Sequence, residues 1–160
     1  MVIGDSSVGG NILTGSTTGH DVLLGSANDT LIGFGGNNFF QSSGGDKIAL
    51  STNNSSADTI LFNGASEGED TVSNFVSGTD KIEVNSPNFG NISAVTFSQT
   101  SNASGTASVL TGFVFETDSN ILYYNQNTNG NEVSTALATF SSGSVSQGDI
   151  SIVNYKPAQH

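Results

Sequence analysis

The sequence predicts an all-β fold: a short, irregular parallel β-roll leading into an antiparallel β-sheet or sandwich cap. Three observations predict it. A tripeptide recurs eight times in the first half, β-rich segments without that tripeptide fill the second half, and no convincing helix is found. The tripeptide is Asp or Asn, any residue, then an aliphatic or aromatic. Its copies begin at Asn11, Asp21, Asp29, Asn38, Asp46, Asp58, Asp70 and Asp80, at intervals of 10, 8, 9, 8, 12, 12 and 10 residues. A near-nine-residue period with a carboxylate, an inward apolar residue and glycines is the sequence form of a parallel β-roll. Each period alternates a turn, where side-chain and backbone oxygens gather, with a strand of about three residues that buries one side chain. Leu13, Leu23, Leu31, Phe40, Ile48, Ile60, Val72 and Ile82 are therefore expected to point inward.

Residues 57–84 carry the longer-spaced copies ADTILFN, EDTVSNF and GTDKIEV, whose alternation suits half-buried strands. From about 92 to 155 come AVTFSQ, SVLTGFVFE, NILYYN, TALATF and ISIVNY, each rich in β-branched or aromatic residues and bounded by Ser, Asn or Gly. Phe113, Phe115, Leu122, Phe140 and Ile152 are expected to fill this later core. The best helix candidate, 132–140, contains Val, Ser and two Thr and suits a strand better. Residues 1–50 are thus assigned to the repeats and 51–160 to the cap, as one continuous domain, with the cap protecting the open end of the roll.

Fourteen acidic residues face three lysines and no arginine, a net charge of −11. That balance argues against nucleic acid, whose phosphates require basic contacts, and against anionic membrane surfaces. It suits a chain that meets divalent cations, because bound metal relieves self-repulsion. Ten of the fourteen carboxylates lie in the first 83 residues, so the charge travels with the repeats. Cysteine is absent and only two histidines occur, which removes thiolate sites and disfavours a His-rich zinc or iron centre. No run of about 18 apolar residues provides a membrane span. Residues 1–10 lack the basic and apolar regions of a secretory signal peptide.

The expected metal ligands are Asn11, Asp21, Asp29, Asn38, Asp46, Asp58, Asp70 and Asp80, and the expected ion is Ca2+, a hard cation suited to oxygen-only turns. Asn125-x-Asn127-x-Asn129-Gly130-x-Glu132 echoes a calcium loop with every Asp replaced by Asn, and Asn129-Gly130 suits a type I′ hairpin better. His20, between Gly19 and Asp21, suits a turn better than a ligand or base. The acidic cluster Glu67, Glu69 and Asp70 precedes a strand and suits a solvated or metal-bound loop better than a hydrolase pair. No Gly-x-Ser-x-Gly elbow is present. One of Tyr123 and Tyr124 must point inward in a strand, which weakens them as a sugar-stacking platform.

The repeats resemble the RTX, or haemolysin-type calcium-binding, family, whose pattern is GGxGxDxUx. Gly33-Phe34-Gly35-Gly36-Asn37-Asn38-Phe39-Phe40-Gln41 carries the pattern at full length, with Asn in the ligand position. Gly19-His20-Asp21-Val22-Leu23-Leu24 and Ala27-Asn28-Asp29-Thr30-Leu31-Ile32 carry its second half, the latter with one glycine missing. Asp70-Thr-Val-x-Asn-Phe-x-x-Gly-x-Asp80-Lys-Ile resembles the segment that commonly follows such repeats. In that family the turns of alternate repeats stack with an ion between them. Here the partners would be Asn11 with Asp29, Asp21 with Asn38, and Asp29 with Asp46, at separations of 18, 17 and 17 residues. Only the last keeps two carboxylates, so a degenerate roll holding about one to three ions of weak to moderate affinity is expected.

The resemblance implies a non-enzymatic calcium-binding module of a secreted bacterial protein, exported by a type I system and folding on calcium outside the cell. A self-assembling or adhesive structural protein of a cell surface or extracellular matrix is the alternative. In that case self-association or glycan contact would use the Ser/Thr/Asn-rich surface and the sheet edges. A third reading is an accessory module of a polysaccharide-modifying enzyme.

Overall fold

The computed structural model describes residues 1–3, 8–53, 55–101, 111–128 and 131–155. The chain forms a β-solenoid, two sheets of stacked parallel strands face to face, whose second sheet runs on into an antiparallel extension. The strands are β1 (Val2–Ile3), β2 (Ile12–Thr14), β3 (Val22–Leu24), β4 (Thr30–Ile32), β5 (Phe39–Gln41), β6 (Lys47–Ala49), β7 (Thr59–Phe62), β8 (Asp70–Ser73) and β9 (Lys81–Asn85). They continue with β10 (Phe97–Thr100), β11 (Gly112–Glu116), β12 (Ile121–Thr128), β13 (Asn131–Phe140) and β14 (Ile150–Val153). One sheet has the order β1-β3-β5-β7-β9-β14 and the other β10-β11-β12-β13-β8-β6-β4-β2. Among the described residues no α-helix occurs, and no helix is long and apolar enough to cross a membrane.

Successive strands alternate between the sheets because each repeat supplies one short strand and one turn. Short strands from β2 to β6 bury only the middle residue. The parallel register stacks those residues in two columns. Leu23, Phe40, Ile60, Ile82 and Ile150 line one sheet, and Leu13, Leu31, Ile48, Val72 and Phe140 line the other. All eight repeat residues expected to point inward are buried, none more than 3% exposed. A side chain in such a column touches the same position of the coil on either side, so the columns fix the register of every coil.

The coils do not end at residue 50. Strands β7 and β9 extend the first sheet in parallel, and β14 returns from the chain's far end to pair with β9, Ile150 opposite Ile82. The segment 150–155, expected in the cap, therefore closes the solenoid, and Ile152 packs at the rim of its core. The antiparallel part is continuous with the second sheet: β13 pairs in parallel with β8 and antiparallel with β12, and β11 pairs antiparallel with β12. Phe113, Phe115, Leu122 and Phe140 are buried as expected. The rings of Phe89 and Tyr124 meet edge to face at 4.9 Å, and the Tyr124 hydroxyl donates to the Phe89 carbonyl at 2.7 Å. Tyr123 faces outward and is half-buried.

Leu31→Ala, at a site with no exposure, is expected to cost about 2–5 kcal/mol. Ile12→Ala, at a side chain 73% exposed on β2, is expected to cost less than about 0.5 kcal/mol. Urea unfolding of both variants checks the assignment of inward and outward positions.

Candidate cation-binding seam of the solenoid

The eight repeat Asp and Asn residues fall into two files, one running along each sheet. Along the second sheet, the Asn11 backbone N–H donates to Asp29 Oδ1 at 2.8 Å, that of Asp29 to Asp46 Oδ1 at 2.7 Å, and that of Asp46 to Asp70 Oδ1 at 2.8 Å. Along the first, the N–H of Asp21 donates to Asn38 Oδ1 at 3.1 Å, that of Asn38 to Asp58 Oδ1 at 2.7 Å, and that of Asp58 to Asp80 Oδ1 at 2.9 Å. The three pairs expected from the sequence are all present. The files then continue across separations of 20, 22 and 24 residues. Asp29 is not unique in serving two neighbours, since Asn38, Asp46 and Asp58 do the same.

Except at Asp70, the second oxygen of each carboxylate is used within its own turn. Asp29 Oδ2 accepts from the Ser26 N–H and hydroxyl at 2.8 and 2.9 Å, and Asp21 Oδ2 from the Ser16 N–H and hydroxyl at 2.6 and 2.8 Å. Asp46 Oδ2 accepts from the Ser43 N–H and Ser42 hydroxyl, both at 3.3 Å. Asp58 Oδ2 accepts from the Ser51 N–H at 2.6 Å, and Asp80 Oδ2 from the Val76 N–H at 2.8 Å. Backbone amides thus do for buried carboxylates what lysine and arginine would do elsewhere. Asn38 keeps the bond between coils through Oδ1, whereas Asn11 donates both its N–H and its side-chain amide to Asp29 Oδ1. The Asn38 side-chain amide donates to the Gly35 carbonyl at 3.2 Å and the Gly36 carbonyl at 3.5 Å, and the Asn11 amide donates to the Val8 carbonyl at 2.7 Å. Amide hydrogens therefore close those two turns on the carbonyls a cation would otherwise seek. Gly36 is required here: at φ 80° its missing Cβ would lie 1.7 Å from the Gly19 carbonyl oxygen.

Asp70 breaks the pattern. It has no exposure, its Oδ1 accepts from Asp46, and its Oδ2 is buried without a donor. The Ser42 hydroxyl bears on both Asp70 and Asp46 Oδ2, the latter at 3.3 Å, and its one proton serves only one of them at a time. Glu67 Oε2, three residues earlier, is likewise buried without a donor. Burial first, then the charges of Asp46 and Glu67, push Asp70 up to about 7 against the hydrogen bonds from Ser42 and Asp46. Burial also raises Glu67, Asp46 and Asp80. Asp29 moves the other way: burial would raise it, but hydrogen bonds from Ser26 and Asn11 outweigh that.

Calcium seeks oxygen ligands that lack donors. By that test the Glu67–Asp70 pair fits a cation, whereas along the rest of the files amides already supply the oxygens. Among the described residues, no three Asp, Glu, His or Cys side chains converge on one point. Any cation there must draw its remaining ligands from hydroxyls, carbonyls or water.

Asp149 was missed at the level of sequence because two of its partners, Ser77 and Gly78, lie about 70 residues away. Its Oδ2 accepts from the Ser77 hydroxyl at 2.6 Å and the Ser146 N–H and hydroxyl at 2.8 and 2.9 Å, and its Oδ1 accepts the Gly78 N–H at 2.8 Å. The Ser146–Asp149 spacing matches Ser26–Asp29, the one signal that could have revealed it. His20 is exposed, with Nδ1 3.2 Å from the Asn37 carbonyl. Strands β12 and β13 pair up to Thr128 opposite Asn131, as the hairpin requires, while Asn129 and Gly130 lie outside the described residues.

The shifts set a pH window. Asp29 and Asp149 are lowered, so their stabilisation is present above the ordinary value of 3.8 and is lost as pH falls. Asp70 is raised, so its stabilisation is full below 3.8 and is lost as pH rises through about 7. In metal-free buffer the protein is therefore expected to be more stable at about pH 5 than at about pH 8, by roughly 2–4 kcal/mol. Thermal melts in EDTA across that range measure it, and Asp70→Asn should flatten the alkaline decline.

No protein-family model matches this chain, and no curated protein matches it, so its residues and their geometry carry the functional reading.

Proposed function

We propose that the chain is a non-enzymatic, calcium-binding β-solenoid module of a secreted bacterial protein, of the RTX type. The observation that carries this reading is the pair of carboxylate files at the seams between coils, in a chain of net charge −11. Stacking brings carboxylates of successive coils together in the folded state and not in the unfolded chain. A divalent cation that enters such a seam therefore favours folding, since binding free energy becomes folding free energy. Asp70 and Glu67 are the carboxylates that would hold the ion, which would supply positive charge where their buried oxygens receive no hydrogen. Low calcium inside a cell and high calcium outside would make order follow export.

The site chemistry supports a binding role over catalysis. Among the described residues, the hollow beside Phe113 and Tyr124, about 380 Å3, is lined by apolar, amide and hydroxyl groups. A second reading, self-assembly at a surface or matrix, draws on the outer strand β2, where Ile12 is 73% exposed and nearby Val8 59% exposed. An apolar sheet end of this kind is a template for another coil.

Melts in EDTA, magnesium and calcium test the leading reading. At calcium about 100-fold above Kd, stabilisation of roughly 2.7 kcal/mol and a Tm rise of roughly 5–10 °C are expected, with much less from magnesium, which demands octahedral geometry. Identical curves would remove the calcium reading. Sedimentation at millimolar calcium distinguishes the second, which requires oligomers or fibres.

A further inference from the structure

The turn before Asp70 differs from its counterparts in one residue. In three of the turns, the position three residues before the aspartate is a serine: Ser26 before Asp29, Ser43 before Asp46 and Ser146 before Asp149. Each donates its N–H to Oδ2 of that aspartate. Before Asp70 the same position holds Glu67, whose N–H turns instead to the Gly64 carbonyl at 3.1 Å. The N–H is thus turned away from Asp70, an acceptor side chain stands where those turns carry a hydroxyl, and two buried carboxylate oxygens, Asp70 Oδ2 and Glu67 Oε2, have no donor.

The next coil does not relieve them. Strand β13 lies against β8 with Ala138 opposite Asp70, where the file would otherwise continue with an Asp or Asn. The file thus ends on a carboxylate. Strand β13 also seals the place, since the Ala136 carbonyl accepts the Glu69 N–H at 3.1 Å and lies 2.1 Å from where a Cβ on Gly68 would sit. On the other side the Gly44–Gly45 turn, with both residues at positive φ, packs on the Glu67 and Gly68 carbonyls. Glu67 takes hydrogen bonds from Asn63 and Gly64 and is only half-buried. Its Oε2, like Asp70 Oδ2, is nevertheless buried without a donor, and no lysine is among the groups acting on either carboxylate. Two carboxylates of this kind are costly when both are charged, unless a proton neutralises one or a cation joins them.

We propose that Glu67 and Asp70 hold one divalent cation, of the calcium class, in the seam between the β6 and β8 coils, and that this is the tight site of the chain. The inference rests on the calcium-binding reading above and deepens it: the ion is held by a glutamate outside the repeat and not shared evenly along the files. Glu67 is a ligand, while Asp29, Asp58 and Asp80 serve the backbone.

The full chain, stripped of metal, is titrated with calcium by calorimetry and melted in EDTA and in calcium. The variants are Glu67→Ser, Asp70→Asn and Asp29→Asn. Glu67→Ser restores the serine of the other turns. It is expected to raise Tm in EDTA above wild type while weakening calcium binding at least about tenfold, as loss of a charged ligand should. That opposite movement cannot come from a variant that merely folds poorly. Asp70→Asn, which retains an oxygen for the Asp46 N–H, should lose calcium binding and remain folded, and Asp29→Asn should keep the tight site. If wild type binds calcium but Glu67→Ser binds equally well and Asp29→Asn does not, the assignment to Glu67 and Asp70 is overturned and the broader reading stands. If wild type shows neither binding nor a melting shift, both fall.

Discussion

Burying a carboxylate in a chain with three lysines and no arginine is the constraint on which the rest of this structure depends. The solenoid meets it with main-chain hydrogens. Asp29, Asp46, Asp58 and Asp80 each reach one oxygen to an N–H of the preceding coil and fold the other back on their own turn. Repeat carbonyls are used as well: the Thr30 N–H donates to the Asn11 carbonyl, that of Lys47 to Asp29 and that of Thr71 to Asp46. The side chain therefore extends the parallel sheet by one further rung, into the turn where sheets usually lose their pairing. Charge-assisted bonds of this kind, short and repeated on both sides of every coil, set the coil spacing as firmly as the apolar columns set the register.

Much of this was legible in the sequence. The period gave the strand positions, and the residue two beyond each Asp or Asn points inward without exception from Leu13 to Ile82. The pairing of Asn11 with Asp29, Asp21 with Asn38 and Asp29 with Asp46 followed from two repeats per turn of the roll. The later pairs were hidden because the turns lengthen, so that Asp46 meets Asp70 across 24 residues and no fixed spacing points to it. The place of β14 was hidden for a different reason. A short apolar strand carries no mark of which sheet it joins, and only the stacked columns, Ile150 on Ile82, decide it. Asp149 followed β14 out of sight.

The role of Glu67 shows most clearly what a sequence withholds. Beside Glu69 and Asp70 it is one of three acidic residues in a loop, and composition cannot separate them. Structure does: Glu69 is exposed, Asp70 ends a file, and Glu67 stands where other turns keep a serine. The same comparison explains the Asn substitutions. Asn38 loses a charge relative to the repeat pattern, yet it retains the bond between coils and gains donors for turn carbonyls. Seams built with Asn hold themselves together, whereas the seam ending at Asp70 leaves two carboxylate oxygens without a donor. The solenoid is thus largely self-sufficient, with its demand for a cation concentrated at one junction.

Hydrogen exchange at single amides, in metal-free buffer, tests the central claim most directly. If the carboxylate files hold the coils, the amides of Asp29, Asn38, Asp46 and Asp58 should be among the slowest to exchange. They should match the strand amides of Leu31 and Ile60 and lie far below Asp118, in the exposed turn between β11 and β12. Exchange of those four amides as fast as that of Asp118, with the strand amides still protected, would contradict the account.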